Sequence, residues 1–100
     1  MKIKAAISKE ITTVKVLVKH PMETGRRKDE ETGALIPEKF IKELNCIHND
    51  REVFIAYLSQ SVSKNPYLSF SFSGGKQGDK IVLRWIDSTG ESVTAETEIQ

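Results

Sequence analysis

Pro66-Tyr67-Leu68-Ser69-Phe70-Ser71-Phe72-Ser73 sets Leu68, Phe70 and Phe72 against three serines in strict alternation. Successive side chains of a strand point to opposite faces, so this run predicts a half-buried β-strand with one apolar and one polar face. Downstream, Gly74-Gly75-Lys76-Gln77-Gly78-Asp79 breaks the pattern, and Lys80 to Ile86 resumes it with Ile81, Leu83 and Trp85 on one face. Asp87-Ser88-Thr89-Gly90 turns the chain into Ser92 to Ile99, and these last two strands are expected to form a hairpin. Upstream, past a polar stretch from Gln60 to Asn65, Glu52 to Leu58 places Phe54, Ala56 and Leu58 together. The turn residues Asn49-Asp50 join that run to Phe40 to His48, which carries Leu44 and Cys46, as a second hairpin. Nearer the start, Ile11 to Lys19 sets Val14, Val16 and Val18 against Thr13, Lys15, Leu17 and Lys19. Lys2 to Ile7 sets Ile3, Ala5 and Ile7 against lysines.

Seven short strands at nearly regular spacing, without helical periodicity, predict an all-β chain: an immunoglobulin-like β-sandwich filling residues 1–100 as a single domain. Trp85 suits the core of such a sandwich, but no cysteine pair accompanies it, so an antibody-type domain is not implied. One segment does not fit the pattern. His20 to Pro37, about eighteen residues with Gly25, Gly33 and mixed charges from Arg26 to Glu31, shows no strand alternation. Loops of that length in compact domains are uncommon and are often functional or disordered.

Fifteen Lys and Arg stand against 14 Asp and Glu, a net charge of +1, which is too little for a general grip on phosphate backbones. Nucleic acid is therefore not an expected partner. No stretch has the length and apolarity of a membrane helix, and Met1 to Ile7 lacks the apolar run and cleavage site of a secretory signal. Taken alone, the sequence reads as cytoplasmic. The single cysteine, Cys46, cannot close an internal disulfide.

Few residues offer chemistry. Cys46 is a candidate nucleophile, sulfur carrier or redox switch, with His48 two positions on as its base, but a small buried core residue is the commoner role of a free cysteine. His20, Met22 and Glu23 are donor types that suit copper, yet no further Cys or His joins them, and no metal or other cofactor is expected. Gly74, Gly75 and Gly78 lie between strands, precede no helix, and read as a hairpin loop rather than a phosphate cradle. Ser69, Ser71 and Ser73 form the polar face of a strand and have no base nearby in sequence. No catalytic site assembles, so binding is the expected contribution.

Two strings carry a resemblance. His20-Pro21-Met22-Glu23-Thr24-Gly25, followed by Arg27-Lys28-Asp29 and Ile36-Pro37, and later Asn65-Pro66-Tyr67-Leu68-Ser69-Phe70, together resemble the SoxZ family. The cysteine strand, Val53-Phe54 and Trp85-Ile86-Asp87 extend the likeness over nearly the whole chain. The turn after the cysteine strand departs from the family's usual aromatic residue and glycine, reading Ile47-His48-Asn49-Asp50 here. The resemblance implies an immunoglobulin-like, noncatalytic subunit of the SoxYZ carrier complex of thiosulfate oxidation. Its partner SoxY bears sulfur intermediates covalently on a C-terminal cysteine, and other Sox enzymes make transient contacts with the complex. It also implies a heterodimer in the periplasm, reached by co-export with SoxY because this chain has no signal of its own. His20, Pro21, Met22, Glu23, Thr24, Gly25, Pro66, Tyr67 and Leu68 are the expected partner-binding residues. A thiol-based sulfur carrier or transferase acting through Cys46 is the competing reading, and an immunoglobulin-like adhesion module a third.

Overall fold

A computed structural model describes residues 1–100. It contains β1 (Lys2–Ser8), β2 (Ile11–Leu17), β3 (Ile41–His48), β4 (Arg51–Tyr57), β5 (Tyr67–Ser73), β6 (Lys80–Asp87) and β7 (Ser92–Glu98), with no helix. Three strands pair in the order β1-β2-β5 and four in the order β4-β3-β6-β7, antiparallel throughout. This is an immunoglobulin-like sandwich of three strands on four. Every alternating run in the sequence is a strand, with ends that agree to within two residues.

Local turn chemistry makes the hairpins. Asn49 and Asp50 both have positive φ, 51° and 61°, the backbone of the two-residue turn whose twist matches paired strands. Asn and Asp tolerate that conformation, which is why this hairpin is legible in sequence. Lys9 and Glu10 make the same kind of turn between β1 and β2, at φ 51° and 67°, without a favourable residue at either position. The pairing of Ser8 with Ile11 closes it.

Gly74 to Asp79 requires a correction. It is not a hairpin loop, because β5 pairs with β2 while β6 pairs with β3 and β7, so the segment arches from one sheet to the other. The glycines serve that crossing. Gly75 sits at φ +98°, and a Cβ there meets Thr12 Oγ1 at 2.6 Å and Ile99 Cδ1 at 3.0 Å. Thr12, itself buried, donates its hydroxyl to the Gly74 carbonyl at 2.7 Å and holds the arch down.

The inner faces are those expected. Val14, Val16 and Val18 from one sheet meet Leu44, Cys46, Ile81, Leu83 and Trp85 from the other in one buried cluster. Phe54 stacks on Phe70 across the sandwich, ring centroids 3.9 Å apart. β4 is buried in part along both faces and so shows no clean alternation. Its ladder explains this: Cys46 faces Phe54 and Ile47 faces Glu52, leaving Val53 as a bulge.

His20 to Pro37, irregular in sequence, folds back on itself as an arm. Glu23 and Lys39 exchange backbone hydrogen bonds at 2.6 and 3.0 Å, and Ile36 N–H donates to the Arg27 carbonyl at 2.8 Å. Where the limbs pass, Gly25 at φ +83° lies so close that a Cβ would sit 3.1 Å from Glu38 Cβ.

Because Gly74 shares the +98° φ of Gly75 but has nothing within 4 Å of an added Cβ, the two sites separate steric crowding from backbone strain. Gly75→Ala is expected to destabilise the fold by about 1–3 kcal/mol more than Gly74→Ala in urea denaturation.

Candidate functional site

The two fingerprint strings meet at one end of the sandwich. Beyond β2 the chain keeps its pairing for three more residues. Val18 N–H donates to the Pro66 carbonyl at 2.9 Å, and Asn65 N–H donates to the His20 carbonyl at 2.9 Å. The Asn65 side chain completes the joint by accepting the His20 N–H at 3.0 Å. Asn65 adopts φ 53°, a left-handed conformation that asparagine takes more readily than most residues.

His20 then turns inward. Its ring packs edge-on against Trp85, centroids 5.1 Å apart. Nδ1 accepts the Met22 N–H at 3.0 Å, so Nδ1 carries no proton, and Nε2 is the donor to Asp87 Oδ2 at 3.1 Å. Met22 follows it into the core at φ 48°, where its thioether sulfur accepts the Ile41 N–H at 3.3 Å. The metal-donor types of this string are therefore spent on packing and hydrogen bonds. No group of three or more His, Cys, Asp or Glu is placed to hold a metal ion.

Asp87 is the residue that sequence reading missed. Its carboxylate is fully buried, and Oδ1 accepts from Thr89 N–H (2.9 Å), Thr89 Oγ1–H (2.7 Å) and Glu91 N–H (3.1 Å) while Oδ2 takes the His20 ring. Lys39 Nζ, 3.8 Å away, adds a positive charge and also pairs with Glu91. Burial by itself raises a carboxyl pKa, but here the hydrogen bonds from Thr89, His20 and Glu91 outweigh it and hold Asp87 at about 2. The sequence does carry a signal for half of this cluster, since Asp followed two positions later by Thr is the pattern of a side-chain-capped turn. The link to His20, 67 positions away, has none.

The expected partner-binding residues divide by exposure. His20, Met22 and Pro66 are buried, so their side chains make no direct contact at the surface of this chain and act by holding its shape. Pro21 and Tyr67 are exposed, while Glu23, Thr24, Gly25 and Leu68 are partly so. Arg27 donates to Glu23 at 2.6 Å on the arm, and that bond lowers the Glu23 carboxyl pKa. Between the arm and the 60–64 segment lies an open groove of about 500 Å³, bordered by Pro21, Thr24, Arg27, Gln60 and Lys64.

Cys46 lies elsewhere, fully buried in the middle of β3. Desolvation pushes its thiol up to about 12, far from the thiolate that nucleophilic chemistry needs. His48 gives it no help. The His48 Nε2 is bonded to Asp79 Oδ2 at 2.8 Å, and its ring packs on Phe72.

A family model described as "Sulphur oxidation protein SoxZ" matches residues 1–98. The chain belongs to the SoxZ family. Membership places it in sulfur oxidation and in partnership within the Sox system. No curated protein matched the chain. In this SoxZ chain the fingerprint His20-Pro21-Met22 is a folding joint at the root of the arm.

Two outcomes follow from these environments. The folded-state pKa of Asp87 lies below its ordinary 3.8, so its contribution is present above about pH 4 and is lost as pH falls toward 2. Asp87→Asn is expected to cost about 2–4 kcal/mol at neutral pH and to flatten stability between pH 4 and 2, measured by urea denaturation across pH. Native Cys46 is expected to resist iodoacetamide at pH 8 and to alkylate only in denaturant, as read by intact mass.

Proposed function

We propose that this chain is the noncatalytic subunit of the SoxYZ carrier complex and that it binds SoxY. On this reading the C-terminal cysteine of SoxY carries covalently attached sulfur intermediates during thiosulfate oxidation, and other Sox enzymes visit the loaded complex transiently. One observation carries the proposal: the only thiol in a chain of a sulfur-oxidation family is sealed inside the sandwich with its pKa pushed up to about 12. A covalent sulfur carrier needs an accessible thiolate. Cys46 offers neither access nor ionisation, which weighs against a thiol carrier or transferase on this chain.

The outer surface supports a binding role. Tyr67 is 60% exposed and Leu17 42% exposed on paired strands, and Pro21 and Thr24 of the arm border a separate open groove. Anchoring by large exposed side chains on a fixed scaffold is how interfaces concentrate their energy. Residence in the periplasm, reached by co-export with SoxY, belongs to the same proposal.

Co-expression with SoxY followed by size-exclusion chromatography and light scattering tests it. A one-to-one heterodimer is expected. A chain that elutes as a monomer beside folded SoxY contradicts the proposal.

A further inference from the structure

The outer face of the three-stranded sheet carries an unbalanced charge. Register places its side chains in rows across β1, β2 and β5: Lys2–Leu17–Tyr67, Lys4–Lys15–Ser69, Ala6–Thr13–Ser71 and Ser8–Ile11–Ser73. None of these positions holds a carboxylate, although the chain has 14 Asp and Glu and a net charge of only +1. Lys4 and Lys15 stand directly opposite one another, an arrangement that destabilises a sheet. Lys19, the next outward position beyond β2, adds a fourth cation at the same end. None of the four lysines has a carboxylate within salt-bridge distance, since every ion pair of the chain lies elsewhere.

The other sheet is built differently. Its outer face interleaves both signs, with Lys80 opposite Glu98 and paired to Glu96, and Glu52 bonded to Asn45. The outer face of that sheet therefore offers the lysine face no uniformly acidic match. The lysine face does combine charge with apolar anchors: Leu17 and Tyr67 flank an open concavity of about 560 Å³ whose rim includes Lys2, Lys4 and Lys15. Away from that concavity the face carries Ala6, Thr13, Ser69 and Ser71, with Ile11 exposed at its far end. A small anion has no use for the exposed leucine and tyrosine. A protein surface that presents carboxylates around an apolar contact uses both.

We infer that the outer face of the β1-β2-β5 sheet is the docking surface for an acidic, apolar-centred face of SoxY, an inference that rests on the carrier reading above. The opposed lysines are uncompensated in the free chain because the partner supplies their counter-charges. Folding stability and binding then pull in opposite directions at Lys4.

That opposition makes the test. SoxY affinity is measured by calorimetry over a range of salt for the wild-type chain, Lys4→Glu, Lys4→Glu/Lys15→Glu, Tyr67→Ala, and Lys42→Glu on the opposite sheet. The double variant and Tyr67→Ala are each expected to weaken binding about tenfold or more, and the double variant to lose the wild-type salt dependence. Lys42→Glu is expected to bind as wild type. Lys4→Glu, which converts a like-charge pair into an opposite-charge one, is expected to raise Tm by about 1–5 °C while weakening SoxY binding. A double variant with wild-type affinity and salt dependence overturns the docking surface and leaves the carrier reading intact. Self-association of the wild-type chain that the double variant abolishes, with SoxY affinity unchanged, assigns the face to a second copy and overturns it too. Failure of the wild-type chain to bind SoxY at any salt overturns both.

Discussion

A carboxylate buried without partners would be untenable in a fold of this size, and Asp87 is the one carboxylate this chain buries completely. Its four hydrogen bonds are therefore the constraint on which the end of the sandwich depends. They come from three places: the turn after β6, the entry to β7 at Glu91, and the ring of His20 at the root of the arm. His20 in turn receives the Met22 N–H and rests on Trp85, so the arm, the turn and the core tryptophan share one joint. Pulling His20 inward fixes where the arm leaves the sheet. Backbone bonds from Val18 and His20 hold Asn65 and Pro66 alongside the end of β2, and pairing with Leu17 sets Tyr67 on the outer face.

The same packing that builds this joint removes chemistry from the molecule. The sulfur and imidazole groups of the chain each have a structural occupation: Met1 packs against the core, Met22 accepts a backbone N–H, His20 bridges to Asp87, His48 bridges to Asp79, and Cys46 lies in the sealed centre of β3. What remains at the surface is shape, charge and a few large side chains. For a member of a sulfur-oxidation family this distribution suits a subunit that binds the protein bearing the reactive thiol. A low-pKa carboxylate and a high-pKa thiol in one small fold are two results of burial with and without hydrogen-bond partners.

Local rules made most of the sandwich legible. Alternation in Leu68-Ser69-Phe70-Ser71-Phe72-Ser73 and in Val14 to Val18 assigned the inner and outer faces correctly, down to the exposure of Leu17. Asn49-Asp50 announced its hairpin because those side chains tolerate positive φ. Three features escaped because they are not local. The glycine-rich arch after β5 looks like a hairpin loop until the pairing of β5 with β2 is known. The bulge at Val53 blurs the faces of β4 and depends on the register of β3. The bond between His20 and Asp87 spans 67 positions, so the string that carries the family resemblance reads as a surface motif although His20 and Met22 lie inside.

On the proposed reading, sulfur is carried by a partner and not by this chain. The most direct measurement is the intact mass of this chain, with peptide mapping of Cys46, after purification under nonreducing conditions from cells oxidising thiosulfate. The expected result is a chain at its sequence mass with Cys46 an unmodified thiol, and sulfur adducts only on the protein that co-purifies with it. Added sulfur mapped to Cys46 would contradict the account.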